Sequence, residues 1–135
     1  MTDLMVATRS LVSVVDDDES VRESLPGLLQ EFGFAARAFS SAEEFLASGC
    51  IDQTNCLILD IAMPGITGLE LQRELKIRGQ LIPIIFITGN RDETVRRGAL
   101  AKGAVACLFK PFSDTALLET LHHALRSKRS AADVQ

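Results

Sequence analysis

The sequence predicts an α/β domain: a doubly wound, five-stranded parallel sheet in the order 2-1-3-4-5, with five helices. Three observations predict it. Five short apolar runs alternate strictly with five helix-like segments, and such alternation implies right-handed crossovers that cover both faces of a parallel sheet. The third and fourth runs are apolar at nearly every position, as strands buried on both sides are. The first run, Leu11-Val12-Ser13-Val14-Val15, stops at Asp16-Asp17-Asp18, and the third, Cys56-Leu57-Ile58-Leu59, stops at Asp60. Open sheets of this type bind ligands at the carboxyl ends of strands, near the reversal of strand order.

Each element has its own justification. After the strand at 11–15, a helix near 20–32 sets Val21, Leu25, Leu28, Leu29 and Phe32 on one stripe at three- and four-residue spacing. Pro26 lies inside that stripe and should strain or kink it, because it lacks an N–H and crowds the carbonyl four residues back. Gly33 is the expected stop. A strand at 35–39 leads to a helix at 41–48, opened by Ser41 and Glu44 in the spelling of a capping box. The strand at 56–60 is followed by a loop rich in turn residues, Ile61 to Gly68, and by a helix at 67–78. A strand at 83–88, a helix at 92–102 and a strand at 105–109 come next. The last helix, 113–128, buries Leu117, Leu118, Leu121 and Leu125. Beyond it apolar periodicity is lost, and the chain reads as one domain, 8–128, with a frayed tail at 129–135.

Bulk properties narrow the class. At 135 residues and 47% hydrophobic, the chain can bury one real core and falls short of two ordinary domains. A net charge of −4 argues against a general nucleic-acid surface, which needs clustered Lys and Arg. Cys50, Cys56 and Cys107 are odd in number and form no C-x-x-C pair, which favours reduced thiols in a cytoplasmic protein. The opening Met1-Thr2-Asp3-Leu4-Met5 lacks the basic start of a secretory signal. No apolar run reaches membrane-spanning length.

Gathered acids need compensation. Two carboxylates about 4 Å apart repel by roughly 4 kcal/mol at an effective dielectric near 20. Such a cluster persists if a cation sits in it or a proton is shared. Thr88-Gly89-Asn90 ends the fourth strand and Lys110-Pro111-Phe112 follows the fifth. Carboxylates, a hydroxyl, an ammonium and a hard-cation site together suit phosphoryl transfer assisted by Mg2+ or Mn2+.

VVDDDES, CLILDIAMPGITG, FITGN and FKPF, in this order and separation, resemble the receiver domain of two-component response regulators, a flavodoxin-like fold. The resemblance runs from about Val12 to Leu125. It implies that Asp60 is the phosphoacceptor, charged from a phosphohistidine of a histidine kinase or a histidine phosphotransfer protein. Asp16 and Asp17 match the acidic pair that positions magnesium, with Asp17 the direct ligand, and Asp60 and the backbone carbonyl of Ala62 complete the set. Thr88 matches the hydroxyl that turns toward the phosphoryl group, and Lys110 the lysine that pairs with it, its bond to Pro111 being often cis. Such a module passes its state to a downstream protein target or to an output domain outside this chain, and a homodimer linked to phosphorylation fits the same scheme. It is a signalling phosphoacceptor that catalyses only its own phosphorylation and dephosphorylation, with neither nucleic acid nor membrane as its direct partner.

Two departures stand out. Where related domains often carry Tyr or Phe three residues before the lysine, this chain has Cys107, too small to act as an aromatic rotor. Phe109 shares its side of the strand. Ala62 and Asn90 lie where side chains influence how water reaches the phosphoryl group; a methyl at Ala62 shields little, which implies a moderately short phosphoryl lifetime.

Plainer readings exist for single residues. Asp18 suits a helix cap, Cys107 a core thiol, and His122 and His123 the surface. Arg96 and Arg97 sit on a helix that related domains often use for partners. An enzymatic alternative takes Asp16-x-Asp18 as the start of a haloacid-dehalogenase-type phosphatase with Asp16 as nucleophile, but leaves Asp60 unexplained. Flavin mononucleotide binding suits the fold, yet an acidic triplet after the first strand repels its phosphate.

Overall fold

A computed structural model describes residues 9–134, with side chains to Arg126. The expected start at residue 8, the unsigned opening at 1–5 and the side chains of the 129–135 tail lie outside that range. Five parallel strands, β1 (Leu11–Val15), β2 (Ala35–Phe39), β3 (Cys56–Asp60), β4 (Ile84–Thr88) and β5 (Ala106–Phe109), form one sheet in the order β2-β1-β3-β4-β5. The helices are α1 (Glu19–Glu31), α2 (Ala42–Ala47), α3 (Gly68–Ile77), α4 (Glu93–Ala101) and α5 (Asp114–Val134). Among the described residues no helix is long and apolar enough to cross a membrane.

Side-chain alternation in the strands divides the core into two layers. Val12, Val14, Ile58, Ile85 and Ile87 pack on one face beneath Leu25 and Leu29 of α1 and Leu117 and Leu121 of α5. Leu57, Leu59, Ile84 and Phe86 face the other way, against Phe45 of α2, Leu71 and Leu75 of α3 and Ala99 of α4. Each layer is apolar because every second residue of a strand meets the same helices. One polar chain is buried among them: Thr54 donates to the Cys50 carbonyl at 2.8 Å, which leaves Ser13 to donate its hydroxyl proton to Thr54 Oγ1 at 2.8 Å.

Several element ends depart from expectation. α1 runs unbroken across Pro26; the ring removes one internal hydrogen bond, to the carbonyl of Arg22, without ending the helix. Gly33 does end it, at φ 94°, with its N–H on the Gln30 carbonyl and that of Phe34 on Leu29, the pairing of a Schellman stop. The capping box expected at Ser41 is only half formed: Ser41 accepts from the Glu44 N–H, while the Glu44 carboxylate reaches Ser40 instead. A complete box forms at Thr67 and Glu70. β4 and β5 each begin one residue later than the apolar runs suggested. The last helix, expected to end at 128, continues to Val134, since residues 127–134 contain no Gly or Pro to stop it. A 3-10 turn at Ile51–Gln53 had no sequence signal.

Candidate functional site

Strand order brings the acids together. β1 lies between β2 and β3, so the ends of β1 and β3 are adjacent: Val15 pairs with Leu59, one residue before each aspartate. Carboxylate oxygens of Asp16, Asp17 and Asp60 lie within 4.8 Å of one another. Asp16 is fully buried, Asp60 is 6% exposed, and Asp17 is open to solvent. Asp16 is held tightly: its N–H donates to the Phe39 carbonyl at 3.1 Å and its Oδ1 accepts from the Asp18 N–H at 2.9 Å. Asp18 is the cap of α1, accepting from the Ser20 N–H and hydroxyl. Those two bonds hold its carboxyl below the usual range.

Lys110 enters from the end of β5. Its Nζ lies 2.9 Å from Asp16 Oδ2 and 3.9 Å from Asp60 Oδ2. Asp16 Oδ2 is buried and accepts no well-aligned hydrogen bond among the described residues. Burial opposes the ammonium charge, but contact with Asp16 and the field of Asp60 outweigh it, so the Lys110 pKa rises above that of an ordinary lysine. For Asp60, burial and then the charge of Asp16 push the carboxyl up to about 7, with Lys110 pulling the other way. The charge on these acids is therefore under-compensated. A buried oxygen lacking an aligned donor, beside two more carboxylates, is a donor set that fits a hard divalent cation.

The remaining expected residues surround this group. Thr88 is 1% exposed, at the end of the strand next to β3; its Oγ1 accepts the Asn90 N–H at 3.0 Å and its carbonyl the Lys110 N–H at 2.8 Å. Asn90 accepts the Asp92 N–H at its side-chain oxygen, 3.1 Å away. Ala62 is exposed and directs its N–H at Asp60 Oδ1, 3.4 Å away. The Lys110–Pro111 peptide is cis. Cys107 is buried in the layer facing α4, and burial raises its thiol pKa. His122 and His123 are exposed.

Three contributors were not singled out in the sequence. Gly68 approaches so closely that a Cβ there would lie 2.3 Å from the Asp60 carbonyl oxygen. Arg22 donates to the Asp16 carbonyl at 3.0 Å. Arg91 stacks its guanidinium 5.4 Å from the ring centre of Phe109, linking the loop after β4 to β5. Gly68 stood within a quoted motif and carried a signal; the two arginines carried none.

The haloacid-dehalogenase alternative is not supported. Its nucleophile would be Asp16, which is fully buried, with Oδ1 on the Asp18 N–H and Oδ2 ion-paired to Lys110, and the comparisons with known proteins point elsewhere. The response regulator receiver domain family matches residues 12–122. The chain is 43% identical over 129 residues to nodulation protein W of Bradyrhizobium diazoefficiens, covering 96% of this chain and 57% of that protein. It is 41% identical over 114 residues to the transcriptional regulatory protein FixJ of Azorhizobium caulinodans, covering 84% and 54%. It thus spans a little over half the length of these curated relatives. The crystal structure of FixJ-N superposes with a TM-score of 0.79 at 38% identity, covering 88% of this chain and 95% of that one. For the response regulator StyR the TM-score is 0.83 at 40% identity, with 95% and 66% covered. Both fold and sequence lead to one assignment: the chain belongs to the response regulator receiver domain family, the receiving module of two-component signal transduction.

Proposed function

We propose that Asp60 is the phosphoacceptor of this receiver, charged by a histidine kinase or histidine phosphotransfer protein in the cytoplasm. The observation that carries the reading is the meeting of three carboxylates within 4.8 Å beside the Lys110 ammonium. In the transfer, an Asp60 oxygen forms a bond to phosphorus while the bond from phosphorus to the donor's histidine nitrogen breaks. Asp17, Asp60 and the Ala62 carbonyl would hold magnesium or manganese, with Asp16 beside them, and the bound ion would neutralise carboxylate and phosphoryl charge. Lys110 supplies a second positive charge at the same edge.

The switch follows from Thr88. Its hydroxyl oxygen is occupied by the Asn90 N–H, and turning it toward a phosphoryl oxygen on Asp60 breaks that bond. The loop into α4 is then free to rearrange, a population shift driven by contacts made better in one state than the other. With Cys107 in place of a rotor, the shift proceeds without a swinging aromatic ring at that position. The receiver unit is read as 8–128 with a tail at 129–135, signalling to an output domain or separate protein target and leaving room for a phosphorylation-linked homodimer.

The test is labelling by acetyl phosphate with magnesium. Wild type should take up one phosphoryl group and Asp60→Asn none; equal uptake overturns the assignment. The lifetime reading has its own test, because Ala62→Arg adds a long cationic side chain where a methyl leaves water free to approach. Dephosphorylation should change at least about threefold, and an unchanged rate refutes the steric account.

A further inference from the structure

The loop joining β1 to α1 is braced by a side chain outside every motif. Arg22, half-buried in the first turns of α1, donates from Nη1 to the Asp16 carbonyl at 3.0 Å. That carbonyl lies beyond the last paired residues of β1, Val15 with Phe39 and Val15 with Leu59, so the guanidinium supplies the donor that a further strand residue would have provided. The carbonyl is also part of the planar peptide between Asp16 and Asp17. Fixing its direction fixes the plane, and the plane sets the rotation from which the Asp17 side chain departs.

We infer that Arg22 is a positioning residue for the metal-binding acids, holding the Asp16–Asp17 peptide plane so that the Asp17 carboxylate stays in register with Asp60. The inference rests on the reading of Asp16, Asp17 and Asp60 as a divalent-cation site. Asp16 is otherwise held by hydrogen bonds at its amide and at Oδ1, and by the Lys110 ion pair at Oδ2. Asp17 is exposed, and the peptide plane on its N-terminal side sets the direction from which its side chain reaches Asp60.

Charge and position predict opposite signs for the loss of Arg22. Its guanidinium is close enough to act on Asp18 and Glu44, and a cation beside the acids repels a divalent ion. If charge were its whole effect, removing it would tighten magnesium binding. A bracing role predicts weaker binding, by roughly tenfold, the scale on which groups behind a metal's direct ligands act.

The chain contains neither Trp nor Tyr, so magnesium titrations are best followed by backbone amide NMR shifts of residues 15–18 and 60–62. Wild type, Asp17→Asn, Arg22→Met and Arg22→Lys are compared. Arg22→Met should raise the magnesium dissociation constant roughly tenfold. Arg22→Lys should fall between, since it keeps the charge and loses the planar fork. No saturable shift in wild type, or undiminished binding by Asp17→Asn, overturns the cation-site reading itself. Normal wild-type binding with equal or tighter binding by Arg22→Met overturns the role of Arg22 alone. Should Arg22→Met fail to fold, Arg22→Lys decides: weaker binding supports the brace, and unchanged binding refutes it.

Discussion

At the scale of single residues, Asp60 stands out because its placement opposes stability. Its carboxyl is pushed up to about 7 by burial and by Asp16, whereas an unfolded aspartate titrates near 3.9. Between those values the unfolded chain has released a proton that the folded chain keeps. Stability therefore falls as pH rises from about 4 to about 7, and this contribution is flat outside that window. Asp60→Asn removes the titration while preserving shape. In metal-free buffer at pH 8 the variant should be more stable than wild type by on the order of 2–4 kcal/mol, with the difference nearly gone at pH 4. Urea unfolding at the two pH values measures it. A stability difference independent of pH would mean that the buried charge is not the cause. Lys110 contributes with the same sign at higher pH: its raised pKa favours the folded state until the ammonium titrates, above this window.

At the scale of elements, the turn from β3 into α3 depends on one atom's absence. Gly68 opens α3 against the backbone of Asp60 and Ile61, and an added Cβ would stand 2.3 Å from the Asp60 carbonyl oxygen and 2.9 Å from the Ile61 Cα. Backbone atoms cannot swing aside as a side-chain tip can. Gly68→Ala should cost about 2 kcal/mol or more in urea unfolding and disturb amide shifts at 60–62. Gly98, inside α4 with open space around it, is the control: Gly98→Ala should gain about 0.5–1 kcal/mol. Equal effects at the two positions would contradict the close approach. The contrast also shows what a sequence displays. β1, β2 and β3 were legible to the residue: β1 and β3 are buried, mostly apolar runs that stop at carboxylates, and β2, with Arg37 exposed at its centre, fills the place that alternation with helices leaves for a strand. Helix ends were less so: Ser41 and Thr67 both spell a capping box, and which one closes depends on where Glu44 and Glu70 can reach in space. The acids and Lys110 were legible as motif positions. That Lys110 lies nearer Asp16 than Asp60, and that Arg22 braces the loop, depend on contacts across strands and peptide planes that no linear pattern records.

At the scale of the whole molecule, two apolar layers hold a sheet whose one charged edge works against them. Val14, Ile58 and Ile87 on one face, and Leu59 and Phe86 on the other, are fully buried; strand order then places the ends of β1 and β3 side by side whatever the electrostatic cost. A ligand that relieves the crowding binds the folded state alone, because the unfolded chain scatters Asp16, Asp17 and Asp60 along some 45 residues. Binding is therefore linked to global unfolding, and magnesium should raise stability by about 2.7 kcal/mol at a hundred times its dissociation constant. The rise should grow with the logarithm of magnesium concentration in wild type and largely vanish in Asp17→Asn, whose core is untouched. Thermal or urea unfolding across a magnesium series, with potassium chloride at matched ionic strength, separates site binding from screening of the net charge of −4. If potassium stabilises as much as magnesium, or Asp17→Asn responds as wild type does, the edge of the sheet is relieved by general screening and the acids do not act together on one ion.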